Sequence, residues 1–320
     1  MTTSIVRKYI SWLKKSEGVD ILDKILIFFI KIIYISLRFI LLALGRKRRS
    51  KLIEKLGLDY GTLWNKFYKF LAKNKKESAL LKFKIPKYNY EFYCRNNKDD
   101  FQIMTFHEDD ILEHNFTPKN GDIVIDVGAH IGPYTLKASK LVGLNGKVVA
   151  IEAAPDNFDI LNRNIQLNKL TNVIALNYAA YSKEDKIKLY LPSKEEEEEE
   201  EESSYTKYNT IMTERVHNEK KFVEIDATTL DYLLQSNGIK HEVNWIKIDV
   251  EGAEYEVLKG AKNIISKSNN ISILVEIHNL SENTNLNEPI KEFLNLYNFK
   301  IDFEKVVSSG ERHIIARKFQ

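Results

Sequence analysis

An acid and two glycines meet where an apolar run ends, in the stretch IDVGAHIGPYTL at residues 125–136. Asp126 stands two positions before Gly128, and Gly132 follows four residues later. Glycine lets a backbone approach a ligand closely and lets the next helix begin tightly. The spacing departs from the G-x-G-x-x-G pattern of dinucleotide sites, and the carboxylate would repel a pyrophosphate. The turn therefore favours a ligand that carries positive charge.

A second acid closes the next apolar run, KVVAIEAAP. Glu152 stands 24 residues after Gly128, at a strand end where an acid can accept hydrogen bonds from both ribose hydroxyls of a nucleoside. A turn-stabilising role for Asp126 and a solvated strand end for Glu152 are the alternatives. Together the two acids predict S-adenosylmethionine as the cofactor, ahead of a nicotinamide dinucleotide.

The densest group of acids lies in WIKIDVEGAEYEVLKGA, residues 245–261. Asp249 closes a strand, Glu251 stands in the turn that follows, and Glu254 falls in the first turn of a helix. The end of this strand faces the same rim as Gly128, so Asp249 could orient an acceptor hydroxyl or remove its proton. Acids in a first helical turn also favour the helix dipole, which is the alternative for Glu254.

The next strand, ILVEIHN, places Glu276 and His278 on one face at the same rim. His278 is a second candidate base because imidazole exchanges protons near neutral pH; a buried, hydrogen-bonded histidine is the alternative. Asp249, Glu276 and His278 could together bind a divalent cation. No spacing requires one, so the sequence predicts no metal.

Short apolar runs alternate with amphipathic segments from about residue 80 onward, and this pattern must position those side chains. Strands buried on both faces are continuous apolar runs, and helices between them indicate parallel crossovers. The runs are DIVIDVG, KVVAIEA, NVIALNYAA, NWIKIDV and ISILVEIH. The helices are YTLKASKLVG, NFDILNRNIQLNK, YEVLKGAKNIIS and EPIKEFLNLY. The pattern predicts an α/β fold with a doubly wound, mostly parallel, Rossmann-like sheet.

Hairpins are predicted at both ends of this pattern. LLKFKIPKYNYEFYCRN indicates a leading hairpin, and NFKIDFEKV with RHIIARKF indicates an antiparallel hairpin at the sheet edge. We therefore expect a basic helical segment at 1–80 and a catalytic domain at 81–320. Eight consecutive glutamates repel one another, so the domain is expected to carry a disordered acidic insertion around 192–210. The single cysteine, Cys94, suits a packed thiol in a reducing compartment.

The N-terminal segment has the composition of a membrane-associated helix. Residues 25–44 are apolar apart from Lys31 and Arg38, and the basic cluster RKRRSK follows at 46–51. Such a cluster prefers anionic lipid head groups, so we expect 25–51 to lie on the cytoplasmic face of a membrane. A single span and a helix hairpin packed on the domain are the alternatives. The net charge of +3 does not argue for a nucleic-acid partner.

Three of these stretches resemble the FkbM-type family of class I methyltransferases. They are DVGAHIGPYTL, IEAAPDNFDILNRNIQLN and IKIDVEGAEYEVLKGA, and the resemblance covers about residues 121–279. It implies transfer of a methyl group from S-adenosylmethionine, often to a hydroxyl oxygen. His130 stands where the family usually has Asn, and IEAAP replaces the commoner EPxP pattern.

The resemblance also implies roles for matched residues. The residues of the glycine turn and of the next strand end would bind the cofactor. The glycine turn would hold its methionine part, and Glu152 would hold its ribose. The six cofactor-binding residues are Asp126, Gly128, Ala129, Gly132, Glu152 and Ala153. Asp249 and Glu251 would line the transfer site, with His278 beside them. We expect an O-methyltransferase acting on a sugar, glycolipid or other amphiphilic acceptor, with oligomeric state open. N-methylation, or a membrane-tethered cofactor fold without turnover, are the alternatives.

Overall fold

A computed structural model describes nine ranges of the chain: 80–85, 89–95, 100–105, 115–191, 210–212, 221–239, 242–281, 284–306 and 311–319. The expected apolar helix 25–44 and basic cluster 46–51 lie outside these ranges, as do residues 192–209 of the expected acidic insertion. Among the described helices, none combines the length and apolar character that a bilayer crossing needs.

The chain folds as two compact units, Met1–Asp109 and Asp110–Gln320. In the first, strands β1 (Leu80–Ile85) and β2 (Tyr90–Arg95) pair antiparallel, which confirms the leading hairpin, and helix α1 (Asp100–Thr105) follows. Cys94 is fully buried in β2, and burial raises the pKa of its thiol well above the ordinary value. An unreactive packed thiol is the consequence.

The second unit contains the remaining elements. In chain order they are β3 (Ile123–Val127), α2 (Pro133–Val142), β4 (Lys147–Ile151), α3 (Pro155–Leu167), β5 (Val173–Leu176), β6 (Ala179–Ala180), β7 (Asp185–Tyr190), β8 (Phe222–Thr228), α4 (Leu230–Ser236), β9 (Trp245–Ile248), α5 (Glu254–Lys259), α6 (Lys262–Lys267), β10 (Ile271–Ile277), β11 (Asn279–Ser281), β12 (Thr284–Asn285), α7 (Asn287–Leu296), β13 (Lys300–Val306) and β14 (Arg312–Lys318).

Seven strands form the main sheet, in the order β13-β14-β10-β9-β3-β4-β5. The five strands from β10 to β5 are parallel, whereas β14 runs antiparallel to both β10 and β13. The predicted doubly wound sheet with a C-terminal antiparallel hairpin is therefore confirmed. Both faces are covered, since Val124 and Ile125, neighbours in β3 whose side chains point to opposite faces, are both completely buried.

The strand order reverses between β3 and β9, which brings their carboxyl ends side by side. The chain passes from β3 outward to β4 and β5 and later returns to add β9 on the other flank of β3. In open α/β sheets this reversal opens the crevice in which ligands bind. The acids of 126 and 249 lie at this point of the sheet.

Two features of the second unit were not predicted. The stretch 254–267 forms two helices, α5 and α6, which meet at Gly260, where an added Cβ would lie 2.0 Å from the Tyr181 carbonyl oxygen. Strands β6, β8 and β7 form a separate three-stranded sheet. In it Tyr190 pairs with Phe222, so the ends of the acidic insertion are held together by strand pairing.

Candidate active site

A buried lysine joins the ends of the two central strands. Lys247 lies opposite Asp126 in the β3–β9 register, and its side chain is only 4% exposed. Its Nζ donates to the Gly128 carbonyl oxygen at 2.8 Å and lies 3.2 Å from Asp249 Oδ2 and 3.6 Å from Asp126 Oδ1. Lys247 thus links the expected cofactor side of the crevice to the expected acceptor side.

Lys247 was missed in the sequence, although a signal was present. It is the one charged residue of the strand WIKI, and side chains two positions apart lie on the same side of a strand. Lys247 and Asp249 therefore had to be neighbours.

Asp126 is a buried carboxylate whose two oxygens differ in their hydrogen bonding. The Thr135 hydroxyl donates to Oδ2 at 2.5 Å, and Oδ1 has no hydrogen bond within the described part of the chain. Burial raises the pKa of Asp126, while the Lys247 ammonium and the Thr135 hydroxyl oppose that change. An ammonium group of a ligand would satisfy Oδ1 and stabilise the charged form.

The glycine turn shapes the crevice through its backbone. The amides of Gly128 and Ala129 donate to the Ile151 carbonyl oxygen at 2.9 and 3.0 Å, so they tie β3 to β4. A Cβ at Gly128 would lie 1.7 Å from the Asp249 carbonyl oxygen, and Gly132, at φ 102°, begins α2. The predicted residues are in the turn, but close packing of protein backbone already requires Gly128.

Glu152 is held rigidly at the end of β4. Its Oε2 accepts from the His130 amide at 2.7 Å, and its Oε1 accepts from the Ala154 amide at 2.9 Å and from Asn157 Nδ2 at 3.3 Å. Burial raises the pKa of Glu152, and these hydrogen bonds oppose the change. A carboxylate oxygen can accept two hydrogen bonds, so Oε2 can accept one more, from a ribose hydroxyl. Ala153 follows Glu152 and is half-buried.

The acceptor side consists of carboxylates around one imidazole. His278 Nε2 lies 3.5 Å from Glu251 Oε2, 3.8 Å from Glu276 Oε1 and 3.9 Å from Asp249 Oδ1. The structure therefore brings together all three residues predicted for catalysis, Asp249, Glu251 and His278, and places Glu276 among them.

Glu254 fixes the orientation of that imidazole. It is completely buried, its Oε1 accepts from the Gly252 amide at 2.9 Å, and the same oxygen lies 2.8 Å from His278 Nδ1. Burial alone would lower the pKa of His278, but Glu251, Glu254 and Glu276 raise it well above its usual value. These carboxylates favour the charged imidazole, so in the absence of a competing cation His278 is a poorer general base than Asp249 or Glu251.

The Glu251 turn is anchored from outside the sheet. Glu251 has a φ of 55° and Gly252 a φ of 107°, and the Thr210 hydroxyl donates to the Glu251 carbonyl oxygen at 2.8 Å. Thr210 also pairs with Tyr190 as an isolated bridge. The chain that returns from the acidic insertion thus reaches the turn that contains Glu251.

Comparison with known proteins identifies the domain. The Methyltransferase FkbM domain model matches residues 126–301. Methyltransferase sdnD of Sordaria araneosa is 30% identical over 177 residues, which cover 50% of this chain and 66% of that protein. The hexuronic acid methyltransferase AglP of Haloferax volcanii is 32% identical over 157 residues, covering 49% of this chain and 56% of that protein. The chain thus spans between about half and two thirds of these relatives.

Among solved structures, M. jannaschii TYW2 in complex with AdoMet is similar with a TM-score of 0.41 and 14% identity, over 76% of this chain and 86% of that one. This likeness is distant, so the fold rests on the strand order given above.

The residues fit the cofactor that the family implies. S-adenosylmethionine carries an ammonium group and a ribose diol. Oδ1 of Asp126, which faces Lys247 only at 3.6 Å, and the oriented Oε2 of Glu152 are suitable partners at adjacent strand ends. The family model extends over more than half of the chain. The chain belongs to the FkbM methyltransferase family, whose methyl donor is S-adenosylmethionine.

Proposed function

We propose that this protein transfers a methyl group from S-adenosylmethionine to a hydroxyl oxygen of a sugar or another small or lipid-linked acceptor. The observation that carries the proposal is Lys247, which contacts both Asp126 and Asp249. One buried cation thereby holds a carboxylate suited to the cofactor and a carboxylate suited to the acceptor in a single crevice. Such fixed alignment is the main contribution a protein can make to a displacement reaction.

The chain's own residues would bind, orient and deprotonate. S-adenosylmethionine, when bound, supplies an electrophilic methyl carbon, and the electron pair of its broken carbon–sulfur bond leaves on sulfur. Asp126 and Glu152 would hold the ammonium group and the ribose. The carboxylates of Asp249 and Glu251, with side chains 21% and 18% exposed, would orient the acceptor hydroxyl and take its proton as the new carbon–oxygen bond forms.

The name of one relative supports a sugar acceptor, because AglP is a hexuronic acid methyltransferase. The acidic corner around His278 adds a constraint, since its carboxylates would repel an acidic sugar that arrives without a cation. We therefore infer that the acceptor group is a hydroxyl of an uncharged sugar, which a free glycoside, a glycan or a glycolipid would carry.

We further propose that residues 25–51 bring the domain to the cytoplasmic face of a membrane. The support is compositional: an apolar stretch at 25–44 is followed by five basic residues within 46–51. Anionic lipids attract such clusters, and this placement would present the crevice to a lipid-linked acceptor.

Calorimetry on the full chain tests the cofactor, with S-adenosylmethionine and NAD titrated separately. We expect saturable binding of S-adenosylmethionine only, weakened at least tenfold by Asp126→Asn and by Glu152→Gln. The exposed carboxylate variant Asp185→Asn is the matched control and should bind normally. Absence of S-adenosylmethionine binding would overturn the proposed function.

Methyl transfer is then measured with isotopically labelled methyl donor on a panel of sugars and glycolipids. Asp249→Asn should keep the cofactor affinity and lose about 10²- to 10⁴-fold in turnover, the range for a positioned proton acceptor. Turnover that survives this substitution unchanged would remove Asp249 from the chemistry.

A further inference from the structure

We propose that Asp249, Glu276 and His278 form a binding site for one divalent transition-metal ion. One donor atom from each residue lies within 4.8 Å of the other two. His278 and Glu276 are buried, and Asp249 is partly exposed towards the crevice. The three residues come from the ends of β9 and β10. Folding therefore brings together a set of metal donors whose spacing in the sequence matches no metal-binding motif.

The distances suit an ion better than direct hydrogen bonds. Nε2 of His278 lies 3.8 Å from Glu276 Oε1 and 3.9 Å from Asp249 Oδ1, which exceeds hydrogen-bonding range. Donor atoms about 2.1 Å from a shared ion are about 3.0 Å apart at right angles and about 4.2 Å apart across it. The two separations from Nε2 fall between these limits, and the donor atoms of Asp249 and Glu276 lie within 4.8 Å of each other. A single ion can therefore bind all three donors after side-chain adjustments.

A carboxylate outside the proposed donor set, that of Glu254, already orients the His278 imidazole for metal binding. Glu254 Oε1 lies 2.8 Å from Nδ1 and is itself fixed by the Gly252 amide. If Nδ1 donates this hydrogen bond, the lone pair of Nε2 faces Asp249 and Glu276. Carboxylate–histidine pairs of this kind support the ligands of protein metal sites, and this contact is independent of the three proposed donors.

The concentration of carboxylates among the described residues of this corner also favours a cation. Four carboxylates surround His278 at 2.8–3.9 Å: Asp249, Glu251, Glu254 and Glu276. Lys247 contacts Asp249 but also neutralises Asp126, and His313 contacts Glu276 at 3.0 Å. Protonation of His278 supplies one positive charge, whereas a bound ion supplies two. Buried negative charge without compensation is costly.

The donor set selects the class of ion. Imidazole suits Zn²⁺ and Fe²⁺, and carboxylates suit Mn²⁺ as well as Mg²⁺. One imidazole with two carboxylates therefore favours Mn²⁺, Fe²⁺ or Zn²⁺ over Mg²⁺ or Ca²⁺.

The ion's role, unlike its binding, rests on the proposed function. An acceptor hydroxyl that coordinates the ion would lose its proton more readily. Asp249 would then serve as a ligand, leaving Glu251 to take the proton.

Two binding experiments on the full chain test the proposal. Mn²⁺ binding is monitored by electron paramagnetic resonance, and Zn²⁺ binding is measured by calorimetry. We expect one tight site per chain, with a hyperfine coupling from an imidazole nitrogen. His278→Gln should abolish that coupling and weaken binding at least 100-fold. Glu254→Gln should weaken it about 10- to 100-fold, as outer-sphere changes do.

Two controls separate this site from weak surface binding. A chain with Glu195–Glu202 changed to glutamine removes the acidic run and should keep the tight site, as should Asp185→Asn. S-adenosylmethionine affinity, measured on every variant, reports that the fold is intact.

If neither ion binds tightly while S-adenosylmethionine still binds, the metal proposal is overturned and the proposed function stands. Tight binding that persists in His278→Gln, or disappears with the glutamate run, would also overturn it. Tight metal binding without S-adenosylmethionine binding would instead refute the proposed function alone.

Discussion

At the scale of single residues, Lys247 determines how the crevice is organised. Its side chain is nearly inaccessible and contacts two carboxylates and a backbone carbonyl from two strand ends. It also lies 5.1 Å from the centre of the Tyr134 ring, which favours a cation there. A hydrophobic residue at 247 would leave Asp126 and Asp249 without this cation.

Lys247→Met should therefore destabilise the fold strongly. Removing one partner of a buried ion pair costs about 3–5 kcal/mol, because the remaining charge is left uncompensated. Urea unfolding followed by circular dichroism measures the change. The comparison variant is Lys186→Met, whose ion pair with Asp226 lies on the surface, and its unfolding midpoint should not move. Equal effects of the two substitutions would contradict the role given to Lys247.

The sequence predicted the acids of the site better than their partners. Asp126, Glu152 and Asp249 each close an apolar strand, and the carboxyl ends of parallel strands meet at one edge. The contact between Glu254 and His278 joins residues 24 positions apart, and only the packing of α5 against β10 creates it. Glu254 could therefore be taken for a helix-dipole acid.

At the scale of elements, the turn after β3 is limited by its neighbour. A side chain at Gly128 would collide with the carbonyl of Asp249 on the adjoining strand end, and the residue has a φ of 75°. The glycine therefore sets the distance between β3 and β9, on which the contacts of Lys247 depend.

Gly128→Ala should lower the free energy of unfolding by at least about 3 kcal/mol, since a backbone collision adds to the strain of a positive φ. Gly238→Ala is the matched control. Gly238 has a φ of 78°, and no described atom lies within 4 Å of its added Cβ, so its cost should be about 1 kcal/mol. Similar unfolding midpoints for the two variants would show that the positive φ alone, without the collision, explains why position 128 needs glycine.

The central strands could be predicted from the sequence, but the smaller sheet could not. Strands β3, β4, β9 and β10 are buried along most of their length, so each consists mainly of apolar residues. Strands β7 and β8 each expose about half of their residues, and their pairing depends on partners across the acidic insertion. The split between α5 and α6 likewise depends on a tertiary contact, that of Gly260 with Tyr181.

At the scale of the whole molecule, opposite charges are separated along the chain. Basic residues concentrate at 46–51, and eight glutamates occupy 195–202. Strands β7 and β8 pair from Asp185 opposite Ala227 to Tyr190 opposite Phe222. The acidic run therefore leaves and rejoins the domain at one place.

The full chain should bind vesicles that contain anionic phospholipid more tightly than neutral vesicles. Each basic residue near such a surface contributes about 1 kcal/mol, so changing the five cations of 46–51 to glutamine should weaken binding at least tenfold. Co-sedimentation at low and at physiological salt measures this, because salt screens the attraction.

The matched control changes five exposed lysines of the second unit to glutamine: Lys140, Lys169, Lys262, Lys267 and Lys300. The net charge falls equally in the two variants, but only the first removes a cluster that follows an apolar stretch. Equal losses would show that overall charge drives binding. Binding to neutral vesicles that neither variant weakens would favour a single span by 25–44, and absence of binding to any vesicle would favour a hairpin packed on the domain.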